Sequence, residues 1–376
     1  MKRIVCLIDS LGSGGAQKQL VELAVGLKGR GYEVEFAVYH SEHDFYLGRL
    51  KSEGIQVHYL KKEASWKAAF VLSLRSFLRN QNFDVAIGFL DGPSFYLEVC
   101  RLLKSRCRII ISERSSYMND RDPIGGRLRR NMHRMADAVI VNSYHHEAWL
   151  QNHHPWLKSK LSVVYNGVAD CYFSGLDVVS NPGRSLRLIS IGRAGSEKNV
   201  INIIRALGVF LERNGWVPSL SWVGRRPKES EKEQKYLSEV DILLSQAPEI
   251  RDKWNWVGES SQVSSLLRDH HCLIHASFYE GLPNVICEAL AAGRPVLASA
   301  VCDHPRLIGG GKRGFVFDPN DPLSIALALE RLLALQDQAW LRMSEGARSY
   351  AASELAMDRM INLFCDRIES VGRVKN

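Results

Sequence analysis

The chain has 376 residues, 45% of them hydrophobic and 24% charged, the balance of a soluble globular protein long enough to bury two cores. No apolar run approaches the roughly 20 residues that span a bilayer, and eight scattered cysteines without a Cys-x-x-Cys pair argue against a disulfide scaffold or a zinc ribbon. A formal charge of +8 favours an anionic partner, whether nucleic acid, membrane surface or phosphorylated substrate. The Met-Lys-Arg start runs straight into a strand-like Ile-Val-Cys-Leu-Ile, too short for a signal peptide, so a cytoplasmic location is expected.

A strand is predicted over 3–8. After it come the turn 9–17, Asp-Ser-Leu-Gly-Ser-Gly-Gly-Ala-Gln, and a helix carried by Leu20, Leu23, Ala24 and Leu27 to a glycine stop at 29–31. Glycines between strand and helix let backbone approach a ligand closely. A dinucleotide fold would want another glycine at Gln17 and an acidic residue closing the strand 34–39. Neither is present, so a nicotinamide-dinucleotide reading weakens, and a ligand-free tight turn explains the glycines about as well as a phosphate loop. Strands over 56–60, 84–89, 108–112, 137–142 and 161–165 alternate with helices near 66–79, 93–104, 125–135 and 143–151. That alternation argues a parallel sheet covered on both faces, with ligands at the carboxyl ends of its strands.

Two loops at such ends carry candidates. Asp91, in Phe-Leu-Asp-Gly-Pro-Ser at 89–94, either faces a ligand or caps a local turn. Arg114, in Ser-Glu-Arg-Ser-Ser at 112–116, either grips a phosphate or pairs with Glu113 or another carboxylate. Residues 121–134 set five arginines around Ile124, Leu128 and Met132. A second basic stretch holds Lys61, Lys62, Trp66, Lys67, Phe70, Arg75, Phe77 and Arg79. Each is either a surface for anionic lipid headgroups or an ordinary charged face over a packed stripe. Asp120-Arg121-Asp122 has metal-like spacing, but no apolar strand delivers it and it reads as loop.

The segment 170–184, with Ser-Gly and Asn-Pro-Gly, reads as a linker after Asn166-Gly167-Val168. The strand 186–191 then delivers Gly192-Arg193-Ala-Gly-Ser-Glu197-Lys198-Asn199 before a helix over 199–211. Arg193 and Lys198 are thus two cations where a bound anion would sit, or else plain surface charges, with Glu197 free to cap the first turn. Strands over 219–223 and 254–257 end in Gly224 and Gly258. Residues 272–299 form a strand-loop-helix-strand unit, in which Pro283 takes the first helical position and Gly293 stops the helix. Gly281 and Leu282 are poor side-chain caps, which opens the N–H groups of the helix 283–292 to an anion. Glu280 stands at that N-terminus, and Glu288 lies one turn beyond Asn284 on the same face. Two carboxylates flank a phosphate seat, where the ordinary alternative is a loop carboxylate and a solvated helix residue. Helices near 321–334, 337–351 and 355–370 finish the chain.

The run from Glu280 through Gly281-Leu282-Pro283-Asn284 to Glu288 resembles the donor-site signature of retaining glycosyltransferases of family GT4. Gly14-Gly15, Asn166-Gly167-Val168 and Arg193 with Lys198 match further motifs of that family, and the resemblance spans nearly the whole chain. It implies an α/β protein of GT-B fold, two Rossmann-like doubly wound parallel-sheet domains facing a central cleft. An acceptor-binding domain would occupy 1–168 with a C-terminal helix, 356–376, crossing back to it, and a donor-binding domain 169–355. Gly14 and Gly15 would close over the donor phosphates, Arg193 and Lys198 would hold the diphosphate, and Gly258 would lie beside the base. Glu280 to Asn284 would meet the donor sugar and distal phosphate, with Glu280, Arg193 and Lys198 as the catalytic set, and Glu288 would hold the ribose. Where many members place an acceptor-side His, this chain has Arg114, unsuited to general-base work because guanidinium stays protonated, but suited to gripping a phosphate or pyrophosphate of the acceptor, whose hydroxyl Asp91 would orient. The implied activity is transfer from a nucleotide-diphospho-sugar, expected to be a UDP-sugar, to a lipid-linked polyprenyl-diphosphate saccharide. No cofactor and no metal are expected, nor nucleic-acid binding, and the enzyme would touch the inner face of an anionic membrane peripherally. Within the same fold the alternative is a nucleotide-sugar 2-epimerase or hydrolase, and outside enzymes a non-catalytic nucleotide-sugar-binding module.

Overall fold

A computed structural model describes residues 1–61, 67–114, 124–174, 180–227 and 229–372. Lys62, Trp66, Asp120, Arg121 and Asp122, read above as basic surface or loop, lie outside the described residues. The chain divides into two compact units, Met1–Gly167 with Met357–Asn376, and Val168–Ala356.

In the first unit seven strands run in parallel: β1 (Arg3–Leu7), β2 (Glu33–Val38), β3 (Gln56–Tyr59), β4 (Val85–Phe89), β5 (Arg108–Glu113), β6 (Ala138–Val141) and β7 (Leu161–Val163). Their order in the sheet is β3-β2-β1-β4-β5-β6-β7. Strands buried on both faces are apolar throughout, as Val-Ala-Ile-Gly-Phe in β4 shows. The period of two sorts β1 between two cores. Ile4 and Cys6 join one that includes Phe364 and Ile368, while Val5 and Leu7 join one that includes Phe70 and Leu97. Helix Met357–Gly372 covers the first of these faces with Met360, Ile361, Phe364 and Ile368.

The second unit repeats the plan with β8 (Arg187–Ile191), β9 (Ser219–Val223), β10 (Trp254–Gly258), β11 (Cys272–His275), β12 (Val296–Ser299) and β13 (Gly314–Phe317). All are parallel, in the order β10-β9-β8-β11-β12-β13. In each sheet the strand order reverses beside the first strand, at β1 and at β8. The loops leaving the carboxyl ends of β8 and β11 therefore leave neighbouring strands in different directions, which opens the crevice where such sheets bind ligands. Among the described residues no helix is long and apolar enough to cross a membrane.

One sequence expectation is corrected. Residues 170–174 are not a free linker: Asp170–Tyr172 form a 3-10 turn with Tyr172 buried, and the Phe173 carbonyl accepts from Arg348. In the basic stretch 61–79, Phe70 and Phe77 follow the packed-stripe alternative, Phe70 meeting Tyr39 and Tyr96 edge-on and Phe77 packing beside Phe83.

Phe364 is fully buried, its ring 6.0 Å from that of Phe89. Phe364→Ala should cost about 3–5 kcal/mol in urea unfolding followed by circular dichroism, and a loss under about 1 kcal/mol would contradict this packing.

Candidate active site

The loop after β8 begins with Gly192 at φ +145, whose carbonyl accepts from Trp222 Nε1 at 2.9 Å. A Cβ on Gly224 would lie 2.2 Å from that carbonyl, so only glycine lets the ends of β8 and β9 approach this closely. A 3-10 turn, Ser196–Lys198, and a left-handed Asn199 stand between this loop and helix Val200–Asn214, which places Lys198 ahead of the helix rather than inside its first turn. Glu197 does not cap that helix. Its carboxylate takes Arg193 Nη2 at 2.7 Å, while Glu233, from helix Glu231–Gln246, takes Nη1 at 2.6 Å.

Lys198 reaches across to the loop after β11 and donates to Glu280, and the Phe278 N–H binds the Glu197 carbonyl at 3.0 Å, so the two loops are tied twice. Three donors converge on one Glu280 oxygen: Lys198 Nζ, His275 Nε2 at 3.1 Å and Ser277 Oγ at 2.9 Å. All three land on Oε1, and Oε2 has no hydrogen-bond partner among the described residues. Burial disfavours the Glu280 charge, but His275 and Lys198 outweigh it and hold the carboxyl far below the usual range, so it stays ionised. Burial pushes His275 down, and with a carboxylate as acceptor its neutral ring carries the proton on Nε2.

Pro283 is the N-cap of helix Asn284–Ala291, one place ahead of its predicted position, with extended ψ of 108° and no side-chain cap. Gly293, at φ +64, follows the helix end as expected. Leu282 is buried, Gly281 and Asn284 half-buried. Glu288 is 7% exposed, which rules out the solvated-residue reading. Gly258, at φ +81, ends β10 and its carbonyl accepts the Gly224 N–H at 2.7 Å. Arg193, Lys198 and Glu280 thus share one pair of loops, with Gly281 to Glu288 continuing from the second.

In the first unit Gly14 is the N-cap of helix Gly15–Gly29, with Gln17 bonded to Asp9 at 3.1 Å beneath it. Asp91 opens helix Asp91–Leu102 and pairs with Arg129 Nη1 at 2.8 Å, so it is an ion-pair partner and not a turn cap. Arg129 also holds Glu113 at 2.8 Å, and Glu113 accepts from His133 Nε2 at 3.0 Å and lies 3.2 Å from His146 Nε2. His133 Nδ1 meets Glu98 at 2.5 Å. Arg130 is fully buried 3.7 Å from Glu113. Burial opposes the Glu113 charge, yet His133 and His146 hold it well below the carboxylate range. Burial would lower His133, but Glu113 and Glu98 push it up to about 9.

Arg114 takes none of these carboxylates. Its Nε binds Ser112 Oγ at 2.7 Å, its Nη1 binds Asn166 Oδ1, and the guanidinium stacks 4.2 Å from the Phe89 ring. The expected ion pair with Glu113 is absent. Of the arginines in 121–134, Arg129 and Arg130 turn inward, while Ile124, Leu128 and Arg127 are exposed. Sequence reasoning missed His275, Ser277, Glu233 and the Glu98–His133–Glu113 chain. Only Glu233 had a readable signal, as the third residue after Ser230 in a capping box. Among the described residues no group of three His, Cys, Asp or Glu is placed to hold a metal ion.

Residues 13–170 match the family model "Glycosyltransferase Family 4" and residues 177–350 match "Glycosyl transferases group 1", so the two models together cover most of both units. The chain belongs to the GT4 glycosyltransferases. This transferase is 24% identical to the GalNAc-alpha-(1->4)-GalNAc-alpha-(1->3)-diNAcBac-PP-undecaprenol alpha-1,4-N-acetyl-D-galactosaminyltransferase of Campylobacter jejuni, over 89% of each chain. To the human alpha-1,3/1,6-mannosyltransferase ALG2 it is 23% identical over 88% of its own length and 87% of the relative's. Its fold matches a glycosyltransferase from Rickettsia africae at TM-score 0.83, with 17% identity and 98% of each chain covered. It also matches Anabaena HepE, solved with UDP and glucose, at TM-score 0.81, with 17% identity over 98% of this chain and all of that one. The transferase is therefore a two-domain GT-B protein.

A raised His133 stabilises the fold in full below its unfolded value near 6.5, and that contribution is lost as pH rises through about 9. The urea midpoint of the wild type should fall as pH rises across that window, and His133→Gln should flatten the slope. An identical slope in the variant would contradict the assignment.

Proposed function

We propose that the transferase moves a sugar from a UDP-sugar to a polyprenyl-diphosphate-linked saccharide, with retention of the anomeric configuration and without a metal ion or other cofactor. The observation that carries this reading is the meeting of Lys198 and Glu280 from the loops after β8 and β11, with Arg193 on the first of those loops. As the bond from the anomeric carbon to the diphosphate oxygen breaks, that oxygen keeps the electron pair. Lys198 and Arg193 neutralise the growing charge. The acceptor hydroxyl forms the new bond on the same face, and its proton passes to the departing phosphate.

Without substrate, Glu197 and Glu233 occupy Arg193, and Glu280 occupies Lys198. The diphosphate takes over these cations, and the open Glu280 Oε2 accepts from a sugar hydroxyl. Backbone of Gly281 to Asn284 faces the distal phosphate, Glu288 binds the ribose and Gly258 lies beside the base. The solved complexes of HepE with UDP and with UDP-glucose support the donor class. The undecaprenyl-diphosphate acceptor in the name of the Campylobacter jejuni relative supports the acceptor class. A peripheral membrane contact belongs to the same reading: helix Ile124–Asn131 leaves Ile124 79% and Leu128 65% exposed beside Arg127.

Lys198→Ala and Arg193→Ala should each lower kcat by about 10²–10³ with the fold intact, read as nucleotide released from UDP-sugars in the presence of a lipid-linked acceptor. Near-normal turnover in both variants would refute the phosphate assignment. The wild type should co-sediment with anionic vesicles at low salt and Ile124→Glu with Leu128→Glu should not, whereas equal sedimentation would move the contact elsewhere.

A further inference from the structure

Among the described residues no carboxylate meets the Arg114 guanidinium. Its hydrogen-bond partners, Ser112 and Asn166, are neutral, and the Phe89 face supplies only a quadrupole. Its second amino nitrogen, Nη2, is shielded from solvent with no hydrogen-bond partner among the described residues. The nearby carboxylates are already matched. Asp91, Glu98 and Glu113 are engaged by Arg129, Arg130 and His133, the last contacting a carboxylate through each ring nitrogen. Arg114 is therefore surplus to this cluster. A half-buried cation without a counter-charge is costly, and an arriving anion relieves that cost. Its position fits a ligand: it follows β5 directly, at the carboxyl end of the parallel sheet, where such sheets bind substrates. Ser112 and Asn166 fix Nε and Nη1, so the planar fork is held in one orientation before any ligand arrives.

We propose that Arg114, oriented by Ser112 and Asn166 and stacked on Phe89, is a binding subsite for a phosphate group of the acceptor, in this protein the diphosphate that links saccharide to lipid. The proposal rests on the acceptor class given above. It makes Arg114 an anchor that sets how far the reacting hydroxyl lies from the lipid end, and assigns it no proton transfer.

The test is calorimetric titration of inorganic pyrophosphate into the full chain, with UDP at saturation so that the donor seat is filled. The wild type should bind pyrophosphate and Arg114→Met should bind it about tenfold or more weakly. Acetate at matched ionic strength should not compete. Without ligand, Arg114→Met should melt no lower than the wild type, because it removes a half-buried charge that no described carboxylate meets. Unchanged pyrophosphate affinity, equal competition by acetate, or a lower melting temperature would each overturn the proposal, the last by making Arg114 a structural residue. Should the Met variant not fold, Arg114→Gln, which keeps polar contacts to Ser112 and Asn166, must show the same loss, and wild-type affinity there would overturn it. If the wild type fails to bind UDP while pyrophosphate binding still depends on Arg114, the donor reading falls and this one stands. The opposite pattern does the reverse.

Discussion

The ion pair between Lys198 and Glu280 joins two loops that lie 82 residues apart in sequence, and the candidate donor site is built around it. The pair exists because β8 and β11 are neighbours where the sheet order reverses, so that loops leaving them in different directions still begin side by side. Partly buried ion pairs recover their desolvation cost only when further hydrogen bonds complete them. Here His275 and Ser277 supply those bonds to the same oxygen that Lys198 uses. The result is a carboxylate that remains charged, leaves one oxygen open, and holds a lysine in a fixed place.

The two units treat charge differently. In the second, cations at the candidate donor seat are each engaged by carboxylates, Arg193 by two of them. On the proposed function, a diphosphate arriving there would exchange one set of anionic partners for another, which favours specificity over raw affinity. In the first unit a buried chain of carboxylates, histidine and arginines closes on itself and leaves Arg114 outside it. Both arrangements lie at carboxyl ends of parallel strands, so one constraint of topology places both.

Much of the fold was legible because parallel strands buried on both faces are continuous apolar runs, and because Gly293 and the turns at 192–199 and 277–281 punctuate the chain. The strand β13 escaped notice: it has four residues, lies at the sheet edge and starts at Gly314 with φ +144, so it shows no period. Helix Glu231–Gln246 could have been read from its Ser230–Glu233 box and from Leu237, Val240 and Leu244. At the site, motif spacing brought out Arg193, Lys198, Glu280 and Glu288. Their partners were not visible, because what holds Glu280 is a histidine at the end of a buried strand, and nothing in an apolar run tells a ligating histidine from a packed one. The inward turn of Arg129 and Arg130 was hidden for a related reason. A basic run reads as surface unless the carboxylates that bury it, Glu98 and Glu113, are known to lie opposite.

The central claim is that protein cations on the loop after β8 recognise a nucleotide through its diphosphate. Equilibrium affinities of uridine, UMP and UDP for the same preparation at one ionic strength test it most directly. Affinity should rise with each phosphate, UDP binding at least about a hundredfold more tightly than uridine. Equal affinity for uridine and UDP would contradict it.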